Sequence, residues 1–445
     1  MENLSIPEDH SQKENILSAK CRFLLWSCVL IPILYIMGVV AIVIFVRYQS
    51  SFSSIDIKYD IGTTIVLKKT TRAIRMKTTS TEVTTSISSN ISNIHSPYIP
   101  CNPLNFSSYE SYSTGAQPWS ISNGYLDADS LLDIVVVNLH STAMSIYYGF
   151  GNGTFQNQIL YSTPYGCASV VIRDMNNDNK SDIILTYPSS NEIAILINNG
   201  NQNFNSPITY PTGNFPYLIG ISDFNKNNLL DVVVTNDHDA SVTVLYDYYN
   251  LSFSYSETYP VGNEVIGISV ADFNNDLYLD LATTDYSDNT ISILINTKDG
   301  MFQNRKIIYT GIAPWGIASA DLNNDNFIDI VNTNSVSSSI SVFLNDGHGN
   351  FNGWDTYIIG GNPISVVLAD LNNDKFIDIV TANLGDNFVY IFLNKQNGKF
   401  QAYQRFSTDW WISVITTGDF NQDEKIDIAL VTTYYNTLNI LLNQC

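Results

Sequence analysis

The chain has 445 residues, a formal net charge of −21 and only 14% charged residues, with 27 tyrosines. So acidic a chain lacks the basic stripe that phosphate neutralisation requires, which excludes a nucleic-acid binder. The tyrosine content and abundant Asn and Ser favour a β-rich, polar-surfaced protein over a helical one.

Residues 1–22 are expected to form a short cytoplasmic tail. Residues 23–46, FLLWSCVLIPILYIMGVVAIVIFV, are an uncharged apolar run between Arg22 and Arg47. Such a run is long enough to cross a bilayer core of about 30 Å with some tilt. No clear small-x-small cleavage site follows, so it reads as a retained signal-anchor; a cleaved signal is the alternative. Lys13, Lys20 and Arg22 precede it closely, against Arg47 and Lys58 after it. That bias favours a single-pass type II orientation, with the C-terminal part extracellular or luminal in the plasma membrane or endomembrane system.

Residues 47–100 are expected to be a disordered Ser/Thr-rich stalk. Over 63–96 there are 15 Ser or Thr in 34 residues. Too little apolar surface is available there for a packed core, so it is either an O-glycosylated stalk or an unmodified linker.

From residue 101 the chain is periodic. Asp recurs at 133, 182, 231, 280, 329, 378 and 427, and Phe at 106, 155, 204, 253, 302, 351 and 400, each series stepping by 49. Seven uninterrupted copies indicate a repeat architecture. Each unit offers four strand candidates, the first rich in Gly, Ala and Ser, as suits a crowded central axis. The fold class is therefore all-β, a seven-bladed β-propeller over 101–445. Phe106 precedes the first acidic loop and no Phe follows the last, so residues near 103–112 are expected to supply the outer strand of the seventh blade.

Cys101 and Cys445 bracket the array and fall, in repeat register, at the adjacent positions Phe150 and Gly151. A disulfide between them is expected, clamping the ring in an oxidising compartment. Cys167 reads as a buried free thiol.

Five of the seven units carry a complete D-x-N-x-D-x-x-x-D loop. The full pattern stands at Asp174, Asn176, Asp178 and Asp182, and again at Asp272, Asn274, Asp276 and Asp280. It returns at Asp321, Asn323, Asp325 and Asp329, at Asp370, Asn372, Asp374 and Asp378, and at Asp419, Asn421, Asp423 and Asp427. Three carboxylates and an amide oxygen suit Ca²⁺ better than the stricter octahedral Mg²⁺. Plain Asx turns are the alternative. In the third unit, with Asp223, Asn225, Asn227 and Asp231, an amide replaces a carboxylate, and weaker binding is expected. In the first, Tyr125 stands at position 1 ahead of Asp127, Asp129 and Asp133, which leaves that loop doubtful. Position 6 is not Gly and the flanks are strand-like, so these are not EF-hands. Residues 1–102 hold 10 basic and 7 acidic residues, leaving 11 against 35, or −24, for 103–445. About five or six Ca²⁺ would relieve roughly half of that charge.

With the GNGTF-type turn at 151–155 and the recurring Pro216, Pro314 and Pro363, these loops resemble the FG-GAP/VCBS repeat family, the calcium-loop propellers also found in integrin α heads. The resemblance covers 103–445 and implies extracellular, Ca²⁺-stabilised propellers used in adhesion, ligand binding or lectin activity, with some catalytic relatives. It implies no one ligand.

Alternating strand directions put the acidic loops and the strand 3–4 turns on one face. The sequons at Asn105, Asn152, Asn179 and Asn250 fall there; Asn90 lies in the stalk, and Asn179, inside an acidic loop, is the one expected to stay unmodified. The opposite face is then free of glycan. It carries Trp119, Tyr217 and Trp315 at one repeat position, with Trp410, Trp411, Tyr165, Phe215, Tyr434 and Tyr435 nearby. Aromatics there could anchor a protein ligand or stack on sugars; packing around the axis is the bland alternative. Among five His none sits in a triad or zinc spacing, so no enzyme is expected. A protein-binding adhesion receptor is the first reading, a lectin the second, a polysaccharide-active enzyme the third.

Overall fold

The computed structural model describes residues 56–60, 64–69, 72–77, 101–107, 109–351 and 353–445. It divides into two compact units, Met1–Ser96 and Pro97–Cys445.

In the first unit, Asp56–Asp60, Thr64–Lys69 and Arg72–Lys77 form a three-stranded antiparallel sheet in chain order. These strands lie within 47–100, the stretch expected to be a disordered stalk. The stretches KY, TIVL and AIRM carry β-formers, and they lie before the densest Ser/Thr run. The rest of the stalk, the expected tail 1–22 and the anchor 23–46 lie outside the described residues. Among the described residues no helix is long and apolar enough to cross a membrane.

The second unit is seven four-stranded antiparallel sheets. Blade 1 opens at Pro118–Gly124, and blades 2 to 7 open at Val170–Arg173, Pro216–Ser222, Val265–Ala271, Pro314–Ala320, Pro363–Ala369 and Ile412–Gly418. The second strands, such as Asp329–Asn334, are buried from the ninth-position Asp onward. Blade 7 takes its outer strand from the chain start: Glu110–Ser113 pairs with Thr437–Leu441, as the Phe offset predicts. The ring closes there, and Cys101 and Cys445 are disulfide-bonded with Cα atoms 5.6 Å apart. Ser413 Oγ donates to Pro118 O at 3.0 Å between the first strands of blades 7 and 1.

The core lies between blades rather than within them. Each of the seven junctions has its own apolar cluster; that between blades 3 and 4 packs Phe224, Val233 and Tyr246 against Leu281, Leu294 and Phe302. Nearer the axis the backbones themselves touch. A Cβ on Gly267 would lie 2.5 Å from Trp315 O, and one on Gly316 2.8 Å from Ile364 O. Only glycine fits there, which is why the first strands read as Gly- and Ala-rich.

Thr hydroxyls brace the same region in blades 2 to 5. The first strands of blades 3 to 5 slip register after their opening residue, as between Pro216 and Ile219. Thr235 Oγ1 accepts Leu218 N–H at 2.9 Å within that slip and donates to Ile266 O of the next blade at 3.1 Å. Thr284 does the same between Gly267 N–H and Trp315 O.

Candidate functional site

Each acidic loop joins the first strand of its blade to the second, and its side chains fold back on its own backbone. In the fifth unit Asp321 Oδ1 accepts Asp325 N–H at 3.1 Å and Oδ2 accepts Asn326 N–H at 2.8 Å. Asn323 Oδ1 also accepts Asp325 N–H, at 3.0 Å, and Asp325 Oδ1 accepts Phe327 N–H at 2.9 Å. The same bonds recur around Asp174, Asn176 and Asp178, and around Asp272, Asn274 and Asp276. They recur around Asp370, Asn372 and Asp374, and around Asp419, Asn421 and Asp423. In the third unit Asn227 takes the fifth place beside Asp223 and Asn225. Side-chain oxygens at positions 1, 3 and 5 are thus oriented by the loop itself.

The loop's own backbone engages these oxygens. The Oδ1 atoms of Asn176, Asn274, Asn372 and Asn421 each accept the N–H of the position 5 residue, at 3.0 to 3.1 Å. Asp374 is engaged at both oxygens, by Phe376 N–H at 2.9 Å and by Asn372 Nδ2 at 3.3 Å. The cause is the tight turn, which aims backbone N–H groups inward at the short Asx side chains. An amide or carboxylate oxygen has two lone pairs, so one such bond leaves a second acceptor direction for a cation.

The outer oxygen of position 5 takes whatever donor is near. Lys180 Nζ lies 3.3 Å from Asp178 Oδ2, while Lys298 and Lys425 lie 3.4 Å from Asp276 and Asp423 Oδ2. Asn323 Nδ2 reaches Asp325 Oδ2 at 2.9 Å. Ammonium groups standing at this oxygen in three loops, on a hard all-oxygen donor set, fit a cation site.

The ninth-position Asp is the most deeply placed of the four. Asp133, Asp182, Asp231, Asp280, Asp329, Asp378 and Asp427 are all fully buried. Asp329 Oδ2 accepts Leu322 N–H at 3.0 Å and Oδ1 accepts Asn345 N–H at 2.8 Å. The other six bond equivalent N–H groups. Each ties the loop to the start of its blade's strand 3–4 turn. Burial pushes these carboxyls up to about 6, and Asp378 to about 7; the two N–H bonds oppose the shift and the carboxylates at positions 5 and 1 add to it, with Asp247 in the place of position 5 beside Asp231. In the first loop Asp133 also rises to about 6, with Asp127 and Asp129 beside it. Among the described residues no group of three or more Asp, Glu, His or Cys side chains is gathered closely enough to hold a metal.

Neighbouring blades clamp the loops through residues that the spacing did not single out. Asn345 Nδ2 donates to Phe273 O, at loop position 2 of the preceding blade, at 2.8 Å and to Ile328 O at 2.9 Å. Asn198, Asn296, Asn394 and Asn443 repeat both bonds. The 49-periodic Phe packs on that same position-2 residue, as Phe302 does on Phe224 and Phe155 on Phe420. Asp247 takes the Asn position in blade 3, where its Oδ1 accepts from Asn225 Nδ2 at 2.9 Å and Asn227 Nδ2 at 2.6 Å. The loop that lacks a position-5 carboxylate therefore has one supplied beside it. The break in the Asn series at 247 was the available signal. In the first loop, exposed Tyr125 supplies no carboxylate to the loop N–H groups, and Gln202 Nε2 holds Asp127 at 3.2 Å.

The aromatics of the opposite face separate into two groups. Trp119, Tyr217 and Trp315 pack together near the axis with Ala168, Ile266 and Phe215. Trp119 Nε1 donates to Tyr217 OH at 2.5 Å, and Trp315 meets Tyr217 and Tyr286 edge-on. Tyr217 is buried, which corrects its reading as an accessible ligand residue; the small residues of the first strands let these rings close over one another. Trp410 and Trp411 are exposed, with Tyr434 and Tyr435 beside them; Trp411 and Tyr434 are 5.6 Å apart. Asn105, Asn152, Asn179 and Asn250 are exposed on the acidic-loop side, and Asn90 lies outside the described residues. Cys167 is buried and free.

A family profile described as FG-GAP-like repeat matches six times in tandem, at residues 125–185, 174–234, 223–283, 272–332, 321–381 and 370–430. No curated protein matches the chain. Among solved structures, BBS1N in complex with ARL6DN is 10% identical with a TM-score of 0.57, over 76% of this chain and 96% of that one. Virginiamycin B lyase from Staphylococcus aureus is 13% identical with a TM-score of 0.53, over 76% of this chain and 99% of that one. A protein of unknown function from Desulfotomaculum acetoxidans is 12% identical with a TM-score of 0.50, over 69% and 98%. At these identities the likeness is one of fold. The repeats, their 49-residue period and the seven blades they build place this chain in the FG-GAP-like repeat family.

Proposed function

We propose that the chain is a membrane-anchored extracellular or luminal receptor that binds a protein ligand through the face opposite its acidic loops, with Ca²⁺ stabilising the propeller. A β-propeller of FG-GAP repeats is a general protein-interaction fold. The observation that carries the reading is asymmetry. Trp410, Trp411, Tyr434 and Tyr435 are exposed together on blade 7; the same four positions hold Ile312, Ala313, Val336 and Ser337 on blade 5, Asn263, Glu264, Ser287 and Asp288 on blade 4, and a single aromatic each on blades 2 and 3, Tyr165 and Phe215. A lectin that reuses one subsite per blade would repeat its aromatics; one patch of clustered aromatics suits a protein contact.

Ca²⁺ would be held by the position 1, 3, 5 and 9 side chains of the six loops that begin with Asp, the ninth Asp also holding each loop to its blade. Bound there it neutralises carboxylates and braces the loop; it is not the ligand site. Exposed Asn105, Asn152 and Asn250 on the loop side would carry N-glycans, leaving the aromatic face bare.

Proximity labelling by the full-length chain on cells, compared with a double variant, Trp410→Ala with Trp411→Ala, of equal surface level, tests the reading. A protein neighbour labelled by the wild type and lost in the variant is the expected result. Saturable binding of the full chain to a glycan array, with no such neighbour, would overturn it in favour of a lectin, the reading that exposed tryptophans also support.

A further inference from the structure

The tips of the inter-blade loops and of the strand 2–3 loops form a crown round the face opposite the acidic loops. Two tip positions repeat every 49 residues, and across three successive blades their occupants change abruptly. Blade 5 carries Ile312 and Val336, 55% and 61% exposed, and blade 7 carries Trp410 and Tyr434, 53% and 61% exposed. Blade 6, between them, carries Gly361 and Gly385, both exposed. The backbone there follows the plan of its neighbours: Leu384 N–H donates to Asn362 O at 2.9 Å, as Thr433 N–H does to Trp411 O at 3.0 Å and Ser335 N–H to Ala313 O at 2.8 Å. At these two tip positions blade 6 thus carries no side chain, between aliphatic groups on blade 5 and aromatic rings on blade 7.

Charge defines what would lie there. The fourteen loops of this face contain no Lys or Arg, and their acidic residues are Asp237, Asp239, Glu264, Asp288, Asp386 and Asp409. Two of these adjoin the trough and are held in place. Tyr390 OH donates to Asp386 Oδ2 at 2.9 Å, while Tyr109 OH and Asn439 Nδ2 hold Asp409 at 3.0 and 3.2 Å. Arg405, on the outer strand of blade 6, lies over the Phe388 ring. Fixed carboxylates beside open aromatic faces attract cations, by charge and by the ring quadrupole. Glycine floors let a main chain approach closely.

We infer that the trough over blade 6 is the docking site for an extended segment of a partner protein that carries apolar side chains and at least one Lys or Arg. This deepens the protein-receptor reading and rests on it. The apolar side chains lie against Ile312 and Trp410, the main chain runs over Gly361 and Gly385, and the cation meets Asp386 or Asp409.

Gly361 offers a clean test, because a Cβ there would meet nothing nearer than 3.8 Å and blade 7 already carries Trp at that repeat position. A phage-displayed library of random dodecapeptides is selected on the full-length chain in detergent micelles, and enriched peptides are synthesised for affinity measurement. Enriched peptides should combine Lys or Arg with aliphatic or aromatic residues. Gly361→Trp should weaken them about tenfold or more with an unchanged unfolding midpoint. Asp386→Asn combined with Asp409→Asn should weaken them and flatten their salt dependence. Phe150→Ala, on the opposite face, should change nothing. Peptides that bind Gly361→Trp as well as wild type would overturn the trough while leaving the receptor reading standing. No enrichment on folded wild type would also overturn the trough; no enrichment together with saturable glycan binding would overturn both.

Discussion

The ninth-position Asp shows how one side chain can serve fold and charge balance at once. Each buried carboxylate accepts two backbone N–H groups, so Asp329→Asn would leave one of them facing an amide N–H₂ group. Urea unfolding in chelator should show a loss of about 1–3 kcal/mol, the cost of one buried unsatisfied donor. The pH response has a defined sign. These acids titrate near 6 when folded against 3.8 for the free side chain, so the folded chain holds more protons between about pH 4 and 6. Their contribution to stability therefore falls as pH rises through that interval. In chelator the melting temperature should be higher at about pH 5 than at pH 7.5, and saturating Ca²⁺ should shrink or reverse the difference. Cys167 gives a second check at this scale. Burial pushes its thiol up to about 12, so peptide mapping after labelling at pH 8 should find it unmodified in the folded chain and modified in denaturant. The Asp series was plain in the sequence because identical residues recur at fixed spacing. Its N–H partners were not, because a backbone donor has no residue identity to read.

At the scale of the blade, stability resides in what joins one repeat to the next. Asn345 ties its own loop, at Ile328 O, to the loop of blade 4, at Phe273 O, and its backbone N–H is the one Asp329 accepts. Asn345→Ala should cost about 2 kcal/mol or more, since two buried carbonyls lose their donor. A change within the error of the unfolding curve would show that the clamp contributes nothing. Strand number and direction were legible from period and alternation. Inter-blade contacts were not, because the chain records order along a strand and not which neighbour a side chain crosses to. Tyr217 illustrates this: one repeat position holds Trp119, Tyr217 and Trp315, yet whether rings at one register point outward or meet over the axis depends on the small residues packed around them. The exposed pair Trp410 and Trp411 also fell within the sequence reading, but the glycine floor beside them did not. Gly361 and Gly385 matter only when set against the equivalent residues of blades 5 and 7.

For the whole ring, closure is the point of weakness, since one blade is built from both ends of the chain. The outer strand Glu110–Ser113 and the Cys101–Cys445 disulfide secure the same junction. Cys445→Ser should lower the unfolding free energy by no more than about 5 kcal/mol, the loop-entropy scale for a link this long, and by less to the extent that the paired strand already holds the ends. The 49-residue period predicted this closure because seven units fill the stretch from 103 to 445 without remainder. What the ring does with its charge is decided by cations. The most direct measurement is equilibrium dialysis of the full chain against millimolar Ca²⁺, with the melting temperature followed before and after chelation. About five or six bound Ca²⁺ per chain and a clear fall in melting temperature on chelation are expected. Fewer than one bound ion per chain, with a melting temperature that chelator does not move, would contradict the reading of the acidic loops as the cation-braced frame of the propeller.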